Sequence, residues 1–386
     1  MKEQILGGQM KKAFAEKILL EQDYIFDDKK ILTVCDQACG TGGMLSVAEE
    51  YLHELNAATE LMSFGQEIND QTFAICKADM LIKGNNADFI KNGNTLSDDQ
   101  FEGQTFDYII SNPPFGREWK NEKAKVEAEA KKGFGGRFGA GLPAASDGQM
   151  LFLMTALSKM KDAKDGGSRI AIIHNGSPLF TGDAGSGPSD IRKYILENDL
   201  LEAIVALPND IFYNTGIATY IWVLSNKKEG TKREGKVQLI NANGLFEKRR
   251  KALGNKRNDI TEEQIAEITK TYGEFRISEI SQIYDNADFG YTKITVERPL
   301  YDENGIEAQT DNRRVTVRVT GEGVFRCLDT GDLRREGSFA GNSIKTYFGK
   351  ALIVVQSTRK VGEMQVEVEV EGFDKPFILP IYTEQL

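Results

Sequence analysis

The residues best placed to do chemistry are Ser111-Asn112-Pro113-Pro114-Phe115-Gly116, which close an apolar run, Phe106–Asn112. Two adjacent prolines cannot continue a sheet ladder and force a rigid turn. Such a turn would fix two acceptors, the side-chain oxygen of Asn112 and the main-chain oxygen of Pro113. The exocyclic amine of adenine is a poor nucleophile because its lone pair is delocalised into the ring. Two acceptors that take its two hydrogens would draw that lone pair out. Phe115 would stack on the base, which must leave a duplex to enter the pocket. No metal or covalent nucleophile is needed, because holding the nitrogen in line with a reactive methyl group does most of the work. The bland alternative, a Pro-Pro pair that merely ends a strand, loses ground to a second motif upstream.

That motif is Asp36-Gln37-Ala38-Cys39-Gly40-Thr41-Gly42-Gly43, placed after an apolar strand and before a helix expected to begin near Met44. Glycines let the backbone pass close to a ligand, and a helix N-terminus offers amides to a carboxylate such as that of methionine. By itself a glycine-rich strand-to-helix turn is also an ordinary structural turn. It is neither a phosphate loop of the G-x-x-x-x-G-K-[ST] type nor a G-x-G-x-x-G dinucleotide turn. Glu67 ends the next strand, where an acid can bind both hydroxyls of a ribose.

Both motifs need a sheet to hold them. Apolar runs Ile31–Asp36, Leu61–Glu67, Phe106–Asn112, Arg169–Asn175, Leu201–Leu207 and Ile217–Ser225 alternate with helix-compatible stretches. This order predicts a parallel, doubly wound α/β sheet covered on both faces, the last strand being an antiparallel edge. Between Glu118 and Gly148 the pattern fails, and the glycines of 133–141 predict a mobile insertion. Lys227–Arg257 holds eleven Lys/Arg against three Glu, 11 − 3 = +8, and can contact phosphates or remain a solvated loop. From about Arg313, period-two alternation such as Val315-Thr316-Val317-Arg318-Val319 predicts a small antiparallel sandwich, with the domain boundary near 300–312.

The whole chain, 386 residues with 48 Lys+Arg and 58 Asp+Glu, carries −10, so any nucleic-acid contact must be local. Four cysteines without zinc spacing read as reduced thiols, no metal site is expected, and the lack of a long apolar run or a signal peptide predicts a soluble cytoplasmic protein with no membrane partner. No cysteine follows a proline, which argues against cytosine-ring methylation. His53 and His174 read as surface or packing residues, since the chemistry above needs no histidine.

D-Q-A-C-G-T-G-G followed by S-N-P-P-F-G resembles the modification (methyltransferase) subunit of type I restriction-modification systems, over about residues 31–300. Gly65-Gln66-Glu67-Ile68-Asn69, Gly93-Asn94-Thr95-Leu96-Ser97, Ser146-Asp147-Gly148-Gln149, Asn175-Gly176-Ser177-Pro178-Leu179 and Phe289-Gly290-Tyr291 are similar too. The resemblance implies a class I (Rossmann-like) S-adenosylmethionine-dependent methyltransferase sheet. It implies transfer to N6 of a flipped adenine in a DNA site chosen by a separate specificity subunit, in a complex with a restriction subunit.

It also implies roles. Asp36, Ala38, Gly40 and Gly42, with Cys39, Thr41 and Gly43 of the same loop, hold the methionine end of S-adenosylmethionine. Glu67 takes its ribose, and Asn94 lies near its adenine. Asn112, Pro113, Pro114 and Phe115 form the target-base site.

Three departures are expected to matter. Gln37 stands where the family usually has Pro, which should loosen the turn. Met1–Lys30 reads as a shortened helical segment without the family's Tyr-Thr-Pro motif. The chain from about Arg313 to Phe373 resembles the Ig-like C-terminal sandwich of glycoside hydrolase family 2 β-galactosidases, so that residues 301–386 form an all-β domain and the reading frame looks chimeric. Two other readings stay open: an impaired remnant acting as a DNA-binding or assembly piece, and a protein glutamine methyltransferase, which uses a similar N-P-P turn.

Overall fold

The computed structural model describes residues 31–213, 215–290, 292–297, 312–330, 340–347, 350–358 and 360–383. The expected N-terminal segment Met1–Lys30 lies outside them. The chain divides into two compact units between Asn286 and Ala287.

In the first unit the strands are β1 (Ile31–Asp36), β2 (Glu60–Glu67), β3 (Ile90–Asn92), β4 (Tyr108–Ser111), β5 (Arg169–Asn175), β6 (Leu201–Ala206), β7 (Thr219–Ser225), β8 (Lys236–Asn241), β9 (Glu247–Leu253), β10 (Lys256–Asp259) and β11 (Ser281–Asp285). Its helices are α1 (Gly43–Leu55), α2 (Asp70–Ile82), α3 (Lys123–Ala130), α4 (Gln149–Leu157), α5 (Ser177–Phe180), α6 (Gly187–Glu197) and α7 (Glu262–Glu274). Nine strands form one sheet in the order β11-β8-β6-β7-β5-β4-β1-β2-β3. β1 lies between β2 and β4 and is parallel to both, with Cys35 opposite Ile109. The connections reverse there, so the crevice beyond the carboxyl ends of β1 and β4 is the place where such sheets bind ligands.

The helices form for local reasons. α1 starts at Gly42, held at φ +78, and buries Met44, Leu45, Ala48 and Leu52 against the sheet. Asn69 caps α2 by accepting from the Thr72 amide, and Thr261 with Gln264 makes a reciprocal capping box on α7.

Three expectations are corrected. β7 is antiparallel but internal, paired with β5 on one side and β6 on the other, and the sheet continues through β8 and β11. The 118–148 insertion is built structure. Arg137 makes paired hydrogen bonds to Glu129 (2.8 and 2.7 Å) and donates to the Thr95 carbonyl (2.6 Å), while Trp119, Val126 and Phe138 are buried. Burial disfavours charge on Glu129, but Arg137 more than offsets that and holds the carboxyl below the usual range. The boundary lies earlier than 300–312, because β12 (Thr292–Glu297) pairs within the second unit.

That unit holds β12, β13 (Arg314–Gly321), β14 (Gly323–Asp329), β15 (Ser343–Lys345), β16 (Lys350–Ser357), β17 (Gly362–Val370) and β18 (Phe377–Thr383). They form two antiparallel sheets, β12-β16-β14 and β15-β13-β17-β18, with Val317, Leu328, Ile353, Val355 and Val366 in a shared core. The alternating pattern therefore reports the wet and buried faces of a sandwich.

His174 on β5 is fully buried, edge-on to Trp222 at 5.7 Å, with neither ring nitrogen hydrogen-bonded among the described residues. Burial depresses its pKa to about 3, against a smaller opposing pull from Asp147. The unfolded chain therefore takes up this proton first, and stability falls as pH drops below the unfolded value. Between neutral pH and pH 5 the loss should be about 2 kcal/mol. Depressed carboxylates begin to act only below about pH 4.5, and Glu49, whose carboxyl pKa burial raises, acts alike in wild type and variant, so comparing denaturant titrations of the two across pH 7 to 5 isolates the histidine. His174→Phe should flatten that limb, and an equally steep limb in the variant would refute the assignment.

Candidate active site

The two motifs emerge side by side from β1 and β4. Asp36 is 1% exposed, and its carboxylate accepts from the Ala38 amide (3.0 Å) and from the Ser111 hydroxyl (3.3 Å). It thus shapes the first loop and ties that loop to the residue preceding Asn112. Glu67, at the end of β2, accepts from the Gly40 amide (2.9 Å) and the Asn69 amide (2.8 Å). Its two oxygens keep further lone pairs for a diol. The Thr41 and Gly43 amides, at the start of α1, have no acceptor among the described residues.

The glycines divide the labour. Gly40, at φ +57, has nothing within 4 Å of where a Cβ would stand, so it fronts open space. Gly42 is different, because a Cβ there would lie 2.7 Å from Cys76 Sγ and 3.0 Å from Met80 Cε. Packing on α2 and positive φ both require its glycine. Cys39 is also a packing residue. It is 3% exposed, faces Cys76, and that thiol contact together with burial pushes its own thiol well above the ordinary range.

Gln37 is tied on two sides. Its amide donates to the Phe152 carbonyl of α4, and its carbonyl accepts from the Thr95 hydroxyl. Asn94 sits in the loop after β3, where its amide donates to Glu122 (2.7 Å) and its oxygen accepts from the Leu96 amide.

At the end of β4, Asn112 is half-buried and Pro113 buried, while Pro114 is exposed. Neither the Asn112 carboxamide nor the Pro113 carbonyl is engaged in a hydrogen bond among the described residues. Phe115 is half-buried, packed edge-on against Phe212 at 6.1 Å and 86°.

Behind this turn the other motif stretches converge. The Gly148 amide donates to the Arg117 carbonyl, and Gln149 exchanges hydrogen bonds with Asn175 through both its side-chain oxygen and nitrogen. The sequence did not single out Phe212. It lies in the loop after β6, and its role depends on a contact nearly a hundred residues back along the chain.

A family model described as N-6 DNA Methylase matches residues 16–295. The chain belongs to the N-6 DNA methylase family. Residues 285–377 match a second model, glycoside hydrolase family 2 C-terminal domain 5, which fits the sandwich.

The type I restriction enzyme MjaIX methylase subunit of Methanocaldococcus jannaschii is 29% identical over 300 residues, 77% of this chain and 50% of that protein. The HindI methylase subunit of Haemophilus influenzae is 29% identical over 250 residues, 64% of this chain and 52% of its own length. This N-6 DNA methylase chain thus spans about half the length of the curated relatives it matches. The methyltransferase subunit of a type I restriction-modification system from Streptococcus thermophilus superposes with a TM-score of 0.58 at 26% identity, over 71% of this chain and 54% of that one. The fold is shared with that methyltransferase subunit. Among the described residues no helix is long and apolar enough to cross a membrane.

Proposed function

We propose that this chain is the catalytic core of a site-specific DNA adenine methyltransferase using S-adenosylmethionine, acting as modification subunit with a specificity and a restriction subunit. The observation that carries the reading is the pair of unengaged acceptors, Asn112 Oδ1 and Pro113 O, joined through Ser111 and Asp36 to the loop before α1. The residues present suit the cofactor: Thr41 and Gly43 amides for its carboxylate, open space at Gly40, and the Glu67 carboxylate for its ribose hydroxyls. Bound there, S-adenosylmethionine supplies an electrophilic methyl group. The chain's own work is on the nucleophile. Asn112 Oδ1 and Pro113 O accept the two amine hydrogens and localise the lone pair. Phe115, braced by Phe212, stacks on the extruded base and fixes its plane.

The test is isothermal titration of the full chain with S-adenosylmethionine, followed by labelled-methyl transfer to duplex DNA with and without a specificity subunit. Binding and label on adenine N6 are expected. Label on protein glutamine would overturn the substrate, and absence of binding would favour the remnant reading. Glu67→Ala should weaken cofactor affinity about 10- to 100-fold, the worth of one or two charge-assisted hydrogen bonds. The same titration checks this, with Glu67→Gln keeping one acceptor and falling between.

A further inference from the structure

The basic segment 227–257 is only partly a surface feature. Lys228, Arg233 and Lys256 are 2%, 6% and 3% exposed, and each is spent internally. Lys228 binds Asp199 and the Leu201 carbonyl, Arg233 stacks on Tyr272, and Lys256 pairs with Asp259. Lys232 reaches the carbonyls of Gly273 and Glu274 at the end of α7.

What remains is concentrated in the two-stranded ribbon β9–β10. Residues 247–259 hold six Lys/Arg against two acids, 6 − 2 = +4, on a chain of net charge −10. Arg249 is paired with Asp259 at 2.6 Å. Lys248, Arg250, Lys251 and Arg257 are exposed and have no acidic partner among the described residues. The ladder is irregular between Lys256 and Asn258, opposite Arg249–Ala252. Such a break in the ladder re-aims the side chains beside it.

The ribbon has a fixed place. The Asn255 amide donates to the Tyr213 carbonyl (2.9 Å), and the Arg257 and Asn258 amides donate to the Asp210 carbonyl (2.9 and 3.1 Å). The Asn258 side chain donates to the Asn209 carbonyl (2.9 Å). All these acceptors belong to the loop after β6, the same loop whose Phe212 packs on Phe115. The unpaired cations are therefore carried by the loop that braces the base-stacking ring.

We infer that the β9–β10 ribbon is a phosphate clamp that grips the DNA backbone beside the extruded base, with Lys248, Arg250, Lys251 and Arg257 as its contacts. The inference rests on DNA being the substrate. A two-stranded ribbon is narrow enough to follow a groove, and cations without protein partners release counterions when they meet phosphates. Seated next to the flipping site, the clamp anchors the strand while one nucleotide swings out.

The experiment is fluorescence-anisotropy binding of the full chain to a labelled random-sequence duplex, from 50 to 300 mM KCl. It compares wild type, Lys248→Gln/Arg250→Gln/Lys251→Gln, and a control triple at exposed lysines outside the ribbon, Lys164→Gln/Lys193→Gln/Lys270→Gln. The ribbon triple should flatten the slope of log affinity against log salt by about 2 to 3 and weaken binding at 100 mM on the order of a hundredfold, while the control stays close to wild type. S-adenosylmethionine affinity, measured by titration on the same preparations, should be unchanged and certifies the fold. An unchanged slope in the ribbon triple, with wild type binding normally, would overturn the clamp and leave the substrate reading intact. Wild type that binds S-adenosylmethionine but no DNA would overturn the substrate reading and the clamp with it.

Discussion

In the Asn112→Ala variant, methyl transfer to DNA should fall roughly 10²- to 10³-fold, the usual cost of removing one preorganised polar group from a reacting centre. Cofactor affinity should stay where it was. The separation follows from the geometry. The link between the two loops runs through Ser111 and Asp36, and the Asn112 carboxamide takes no part in it. The Pro113 carbonyl survives in the variant, so the amine is still held on one side, but only one hydrogen is drawn away and the lone pair stays partly in the ring. Asn112→Asp keeps an acceptor oxygen and should recover part of the loss. Single-turnover transfer and S-adenosylmethionine titration on the same preparations decide the matter. If Asn112→Ala loses cofactor binding in parallel with transfer, the residue shapes the pocket and does not act on the amine.

The motif turns were legible in the sequence because each needs an unusual local conformation. Positive φ at Gly40 and Gly42, and a Pro-Pro stop after β4, are written into single residues. The buried strands were legible for a similar reason, since a strand covered on both faces has no polar alternate to disguise it. Their order was not. β7 is apolar whether it closes the edge or is inserted between β5 and β6, and β8 lay hidden in a stretch dominated by lysine and arginine. The insertion misled for another reason. Its glycines signal irregularity, but its order comes from Arg137 meeting Glu129 and two carbonyls of the loop after β3, a pairing that spacing does not reveal.

Individual site residues show the same division. Glu67 and Asp36 were found because acids at strand ends are conspicuous. The packing of Cys39 and Gly42 against α2 was not legible, because loop membership does not tell which way a side chain or a Cβ would point. Phe212 and the ribbon anchors at Asn209, Asp210 and Tyr213 carry no motif and became visible only through their contacts.

The second large effect concerns Glu202 on β6, which no motif marks. It is 1% exposed, and its carboxylate accepts from Arg169 of β5 (3.2 and 3.4 Å) and from the Tyr272 hydroxyl of α7. Arg233 lies over the Tyr272 ring at 4.1 Å. Burial alone would raise the pKa of Glu202, but Arg169 and Arg233, with the tyrosine hydroxyl, pull it below the ordinary carboxylate range. Burial and the neighbouring carboxylate push Tyr272 the other way, so it remains a hydroxyl donor.

Glu202→Gln keeps the shape but removes the carboxylate charge facing Arg169 and Arg233, 7% and 6% exposed. Breaking a buried pair in this way costs roughly 3 to 5 kcal/mol. Because the folded pKa is depressed, the wild-type advantage is complete above the unfolded carboxylate value of about 4.3 and disappears as pH falls through the folded value. Urea unfolding of wild type and Glu202→Gln at pH 7 and pH 3.5 should therefore show a wide gap that narrows in acid. A gap that is small at pH 7, or that persists unchanged at pH 3.5, would mean that the cluster is held by packing of Tyr272 and Arg233 and that the ionised carboxylate contributes little.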